Sequence, residues 1–159
     1  MNSAIVESPV GPLMLVSDEG KLIGCFFDGR APAAMAGAPR GRDPILDLAR
    51  QELAAFFAGA LRTFTVPVAP RGTEFQRKVW KGLQSIPHGR TTSYGELARK
   101  IGGPKAVRAV GAANGANPIC IIIPCHRVIG ADGSLTGFGG GLDRKRFLLA
   151  LERGEAPLL

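Results

Sequence analysis

Apolar positions in the first 70 residues arrive in short bursts. Ala4-Ile5-Val6, Leu13-Met14-Leu15-Val16 and Leu22-Ile23-Gly24-Cys25-Phe26-Phe27 are separated by Pro9-Val10-Gly11-Pro12 and Asp18-Glu19-Gly20. Such runs, punctuated by turn residues, predict three antiparallel strands. Cys25 lies inside the third and reads as core. Residues 29–43, rich in Ala, Gly, Pro and Arg, predict a loose surface connection. The period then changes. Ile45, Leu48, Ala49, Leu53, Phe56 and Phe57 form a helical stripe, with Asp43 as N-cap, Pro44 at the first helical position and Gly59 as the stop. Thr63-Phe64-Thr65-Val66 predicts a short fourth strand, and Pro67 to Gly72 a linker.

The second half is patterned mainly for helices. Thr73 is placed to cap a helix through Phe75, Val79, Trp80 and Leu83, ending near Ser85. Ile86-Pro87-His88-Gly89-Arg90 predicts a turn with His88 exposed. Ser93 caps the next helix, through Leu97 and Ile101, with Glu96 at the capping-box position. Gly102-Gly103 breaks it, and Pro104 opens another helix through Val107, Val110 and Ala113. Two short helices joined by a glycine turn outline a helix-turn-helix. The second carries mostly small side chains, which lets its backbone approach a packed neighbour or a narrow groove. Further on, Gly130 to Ser134 predicts a hairpin turn and Gly137 to Gly141 an exposed loop. A last helix from Asp143 to Glu152 shows Phe147, Leu148 and Leu151 on one side.

Between these elements, the apolar run Ile121-Ile122-Ile123 ends at Pro124 and is followed by Cys125-His126-Arg127-Val128. Proline cannot continue a central ladder, so a strand is expected to stop there and present Cys125 at an edge or pocket. A thiol beside an imidazole and a cation can titrate below its usual value of about 8.5, raising the reactive thiolate fraction. The competing reading is a buried small hydrophobe. Neighbours on a strand face opposite ways, so His126 can serve Cys125 only if the chain turns after Pro124.

Composition narrows the class. The 159 residues, 45% hydrophobic and 21% charged, suit one domain or two small ones in a soluble protein. No apolar run approaches the roughly 18 residues of a membrane span, and no signal peptide is expected from the stretch around Glu7. Three cysteines without a CxxC pair argue against a disulfide framework and a zinc site, and point to a reducing compartment, the cytoplasm by default. The net charge of +7 divides unevenly. Residues 1–70 hold six Lys/Arg against seven Asp/Glu, and residues 71–159 hold fourteen against six. A basic half beside a neutral one suits a nucleic-acid-binding face, or simply a soluble basic surface.

The accumulated motifs resemble the O6-alkylguanine-DNA alkyltransferases (methylated-DNA–protein-cysteine methyltransferases). The likeness is close over residues 71–159, through Arg-Gly-Thr-Glu-Phe-Gln, Thr-Thr-Ser-Tyr-Gly-Glu-Leu-Ala, Arg-Ala-Val-Gly, Asn-Pro, Ile-Pro-Cys-His-Arg-Val and Gly-Phe-Gly-Gly-Gly. Over residues 1–70 it rests mainly on Ser-Pro-Val-Gly-Pro-Leu and a following helix. It implies an α+β protein. Residues 1–70 would form a small α/β domain with an antiparallel sheet and a linker. Residues 71–159 would form a mostly helical domain carrying the helix-turn-helix and the active-site cysteine.

The resemblance also implies roles. Cys125 accepts the alkyl group and keeps it, His126 is its base through a water, and Glu152 orients the imidazole, the general logic of an activated nucleophile. Tyr94, the only tyrosine, donates a proton to the departing guanine. The damaged base must leave the duplex, at a cost of a few kcal/mol, and Arg108 fills its place while the small-residue helix lies in the minor groove. Ser93, Ala106, Gly111 and Arg127 are the further DNA-binding positions. Asn117 ties the helix-turn-helix to the active-site strand, and Val128, Phe138 and Gly139 line the base pocket. Some members carry a bulkier residue at 114 and an arginine at 115, where this chain has Asn114 and Gly115. No cofactor and no metal are expected. The partner is double-stranded DNA containing O6-alkylguanine, met by a monomer, with cooperative packing along DNA left open. Activity on O4-alkylthymine is also left open.

Two rivals are distinguishable. A binding-only relative that recruits other repair proteins would lack the acceptor cysteine. A helix-turn-helix regulator would carry base-reading polar side chains where this chain has Val107, Ala109, Gly111 and Ala112.

Overall fold

The computed structural model describes residues 1–135 and 138–155. It divides into two compact units, residues 1–71 with 118–122, and residues 72–117 with 123 onward.

In the first unit, β1 (Asn2–Val6), β2 (Leu13–Asp18) and β3 (Lys21–Phe27) form an antiparallel sheet in the order β1-β2-β3. The predicted turns set its register, with Ile5 opposite Met14 and Leu15 opposite Cys25. Residues 13–17 of β2 are all buried, so both faces of this central strand are covered. One face meets Met35 and Ala38 from the connection, where a short helix α1 (Ala33–Ala36) stands in the stretch expected to be loose. Helix α2 (Pro44–Phe57) packs on the sheet and begins as its sequence predicts, with the Asp43 carboxylate accepting from Leu46 N at 2.8 Å. Gly59 adopts φ +77° just past its end.

The expected strand at residues 63–66 does not form. The buried Glu52 carboxylate accepts from Thr65 N, Thr65 Oγ1 and Val66 N at 2.7–3.0 Å. Those amides are therefore spent on a side chain and cannot enter a ladder. Pairing shifts two residues on, where Leu22 N donates to Pro67 O and Ala69 N to Leu22 O.

The expected strand at Ile121–Ile123 is also absent. Cys25 pairs in a single parallel bridge with Ile119, after which Ile122 N bonds back to Cys120 O at 2.7 Å. That three-residue γ-turn places Ile121 at φ +70°, rare for a β-branched residue. The run is apolar because it is buried, not because it is paired.

The second unit is helical. Thr73 and Gln76 form a capping box at the start of α3 (Glu74–Leu83). Trp80, on its buried face, donates Nε1–H to Ala113 O at 2.8 Å and so locks α3 to α5 (Val107–Gly115). Ser93 caps α4 (Tyr94–Lys100), accepting from Glu96 N. Helix α5 starts three residues later than Pro104, because Gly103 to Ala106 close a turn through Ala106 N and Gly103 O. Strand β4 (Thr92–Ser93) pairs in parallel with β5 (Val128–Ile129), and α6 (Leu142–Glu152) packs on the 3₁₀ turn Cys125–Arg127. Residues 130–134 do turn, with Gly130 N bonded to Ser134 O, but no described strand follows to make a hairpin.

Candidate active site

Three local devices bring the chemistry together in the second unit. The first is Pro124. Its φ of −82° and ψ of 65° make an inverse γ-turn, closed by Cys125 N to Ile123 O at 2.8 Å, and the chain enters the 3₁₀ turn at once. The turn required for His126 to serve Cys125 is therefore present. The second is the β4–β5 pair, which sets Thr92 opposite Val128 and so fixes Tyr94, two residues on, in register with the cysteine segment. The third is α6. Lys145 and Glu152 lie seven residues apart on one helical face, and both are buried.

Cys125 is 6% exposed and His126 fully buried. The imidazole Nε2 lies 2.8 Å from Glu152 Oε2. An ionised carboxylate only accepts, so Nε2 carries the proton of a neutral ring and Nδ1 keeps its lone pair. Nδ1 is buried and bonds no described residue. Burial holds His126 below the ordinary imidazole value, against the opposing pull of Glu152. Glu152 faces the reverse balance. Burial would raise its pKa, but hydrogen bonds from His126 and Arg127 bring it down to about 2. With His126 neutral, the lasting positive charge there is Arg127, which donates Nε and Nη2 to the carboxylate at 2.7–3.2 Å and Nη1 to Ile86 O at 2.6 Å. Arg127 was expected among the DNA contacts. It is instead only 6% exposed, its guanidinium turned inward to this network.

The other predicted residues divide between interior and surface. Asn117 Nδ2 donates to Ile123 O at 2.8 Å, immediately before the cysteine turn. Val128 is buried, Phe138 half-buried and Gly139 exposed. On α5, Val107, Arg108, Ala109 and Ala112 are exposed, with Ala106 and Gly111 half-buried, which makes a smooth outer face bearing one cation. A Cβ on Gly111 would stand 3.9 Å from the Tyr94 ring, an ordinary van der Waals distance, so that ring lies against this part of the helix. Ser93 serves as the α4 cap and is half-buried.

Three residues given no role by the sequence reading also lie here. Lys145, fully buried, donates Nζ–H to Val128 O at 2.6 Å. Burial lowers its pKa, opposed by the electrostatic attraction it would have to an ionised Cys125. A cation therefore sits where it favours the thiolate. It lies in the charged run Arg144-Lys145-Arg146, where its seven-residue spacing from Glu152 was a usable signal. Asn114 is 2% exposed and donates Nδ2 to Cys125 O at 3.4 Å, while its buried Oδ1 bonds no described residue. His88, expected to be exposed, has a 13% exposed side chain with Nδ1 3.9 Å from Glu152 Oε2.

The same groups predict an acid limit. Unfolded, His126 and Glu152 would titrate near 6.5 and 4.5. Both are lower in the fold, so the unfolded chain binds protons first and stability falls as pH drops. The His126 contribution is lost from about pH 6.5 downward. The Glu152 contribution, about 3 kcal/mol, is lost between about 4.5 and 2. Urea midpoints measured from pH 8 to pH 3 should decline in that order, and a midpoint constant down to pH 4 would contradict the assignment.

A buried thiol, a buried imidazole, its carboxylate and a smooth helix bearing one exposed arginine are thus placed in one unit. The family model described as 6-O-methylguanine DNA methyltransferase, DNA binding domain, matches residues 74–154, and its companion, the ribonuclease-like domain, matches residues 1–70. The chain belongs to the 6-O-methylguanine DNA methyltransferase family. Among its relatives, a methylated-DNA–protein-cysteine methyltransferase of Mycolicibacterium paratuberculosis is 62% identical, over 96% of this chain and 92% of that one. One from Methanosarcina acetivorans is 51% identical over 96% and 98%. The crystal structure of Mycobacterium tuberculosis OGT in complex with DNA superposes with a TM-score of 0.90 at 48% identity, covering 99% of this chain and 96% of that one. The α+β architecture is that of this methyltransferase family. No described helix is long and apolar enough to cross a membrane.

Proposed function

We propose that this family member repairs DNA directly, moving the alkyl group from O6-alkylguanine to its own Cys125 in a single irreversible turnover. The observation that carries the reading is the His126 ring, fixed by Glu152 so that its basic Nδ1 is the atom left over, on the residue next to the thiol. Through a water, Nδ1 takes the Sγ proton. Lys145 favours the resulting thiolate, which attacks the alkyl carbon. The carbon–O6 bond breaks, its electrons pass to the base, and Tyr94 supplies a proton to a guanine ring nitrogen. Stable S-alkylcysteine and guanine remain, and no described group in the site offers a route to hydrolyse a thioether.

The exposed face of α5 supports binding in the minor groove, with Arg108 entering the stack vacated by the flipped base. The basic second half supports the affinity for DNA and implies that it falls steeply with salt. The presence of Cys125 speaks against a binding-only role, and the small residues of α5 speak against a base-reading regulator. A monomer acting in the cytoplasm completes the proposal.

Stoichiometry tests it. Incubated with a large excess of duplex containing O6-methylguanine, each protein molecule should acquire one methyl group and then stop. Repeated turnover would overturn the irreversible reading, and no transfer at all would overturn the activity.

A further inference from the structure

The first unit holds a second pair of thiols that the alkyl-transfer chemistry does not use. Cys25 lies in β3, where Leu15 of β2 is its partner on one side. On the other side, Cys25 N donates to Pro118 O at 2.9 Å and Cys120 N donates to Cys25 O at 3.0 Å. These two backbone bonds hold Cys120 one residue beyond the bridge partner Ile119 and bring the sulfurs to 3.7 Å. Neither thiol is in a disulfide. Cys25 is 0% and Cys120 6% exposed, so the pair is closed to bulky oxidants.

We propose that Cys25 and Cys120 are an oxidative modification site at which a small peroxide converts the thiol pair into an intramolecular disulfide. A disulfide needs sulfurs at about 2.05 Å, so the pair has about 1.7 Å to close. The backbone bonds already set the two chains side by side, so no strand has to be re-registered. Cys120, the less buried, reacts first. Its sulfur attacks one peroxide oxygen, the O–O bond breaks, and the departing hydroxide takes the thiol proton and leaves as water. The Cys25 sulfur then displaces the hydroxyl from the Cys120 sulfenic acid, forming S–S and releasing a second water. Two thiols are oxidised and one peroxide is reduced to two waters.

The bond would pin the chain one residue before the Ile121 turn and five before Cys125. It would also close a loop spanning 95 residues, and long loops gain most from closure. The oxidised protein should therefore melt higher than the reduced one, by roughly 5–15 °C.

The test uses full-length protein whose Cys125 has first been capped by its own methyl transfer, which leaves these two thiols as its remaining cysteines. After hydrogen peroxide treatment in the folded state, and then unfolding in the presence of a thiol-alkylating reagent, the intact mass should lie two hydrogens below that of the untreated methylated protein, with no alkyl adduct. Peptide mapping should find Cys25 joined to Cys120, and a dithiol reductant should restore both the mass and the original melting temperature. Cys25→Ala and Cys120→Ala should each abolish the link, and the wild-type map decides the matter if either variant folds poorly. Recovery of both residues as alkylatable thiols would overturn the proposal. So would separate sulfinic acids, or a link between two molecules.

Discussion

Replacing Glu152 by Gln should destabilise the protein by about 3–5 kcal/mol, because Arg127 would remain charged in the interior with its carboxylate gone. Three guanidinium–carboxylate contacts of 2.7–3.2 Å and the His126 bond converge on that one side chain. A native domain has only about 5–15 kcal/mol to lose, so the shift in urea midpoint should be large. The double variant Arg127→Met with Glu152→Gln should lose much less than the two single losses added together, since no charge is then stranded. Strict additivity would mean that the ion pair is not the element holding the turn.

The second large effect is kinetic. Lys145→Met should slow the reaction of Cys125 with free O6-benzylguanine at pH 7 by roughly 10- to 1000-fold. An opposite charge nearby is worth about one to three pKa units, and each unit is a factor of ten in thiolate. The loss should shrink as pH is raised, because hydroxide then supplies what the ammonium had favoured. A rate equally depressed at every pH would instead assign Lys145 to holding Val128 O in place.

Much of this site was legible because its groups are close in sequence or tied to local rules. The caps Asp43, Thr73 and Ser93 are each read from a single residue and its helix, and all three bond as their types predict. The Pro-Cys-His segment announced its chemistry through neighbouring side chains. What failed was long-range. Thr63 to Val66 has strand composition, yet a carboxylate thirteen residues away takes its amides. Ile121 to Ile123 looks like a strand because burial and pairing leave the same apolar signature. His88 was expected in an exposed turn, Arg127 was expected at the DNA and Lys145 drew no reading, because charge is ordinarily exposed and only tertiary structure shows which charges have partners inside. The placement of residues 118–122 with the first unit had no local signal at all, since it follows from a backbone bridge to Cys25.

The central claim is that Cys125 itself receives the alkyl group. A duplex oligonucleotide carrying one isotopically labelled O6-methylguanine, incubated with wild-type protein and with Cys125→Ser, tests it most directly when followed by peptide mapping. The account predicts the labelled methyl on the Cys125 sulfur, guanine restored in the DNA, and an unlabelled Cys125→Ser protein that still binds the duplex. Label on Cys25, on Cys120 or on any other residue, or label acquired by Cys125→Ser, would contradict it.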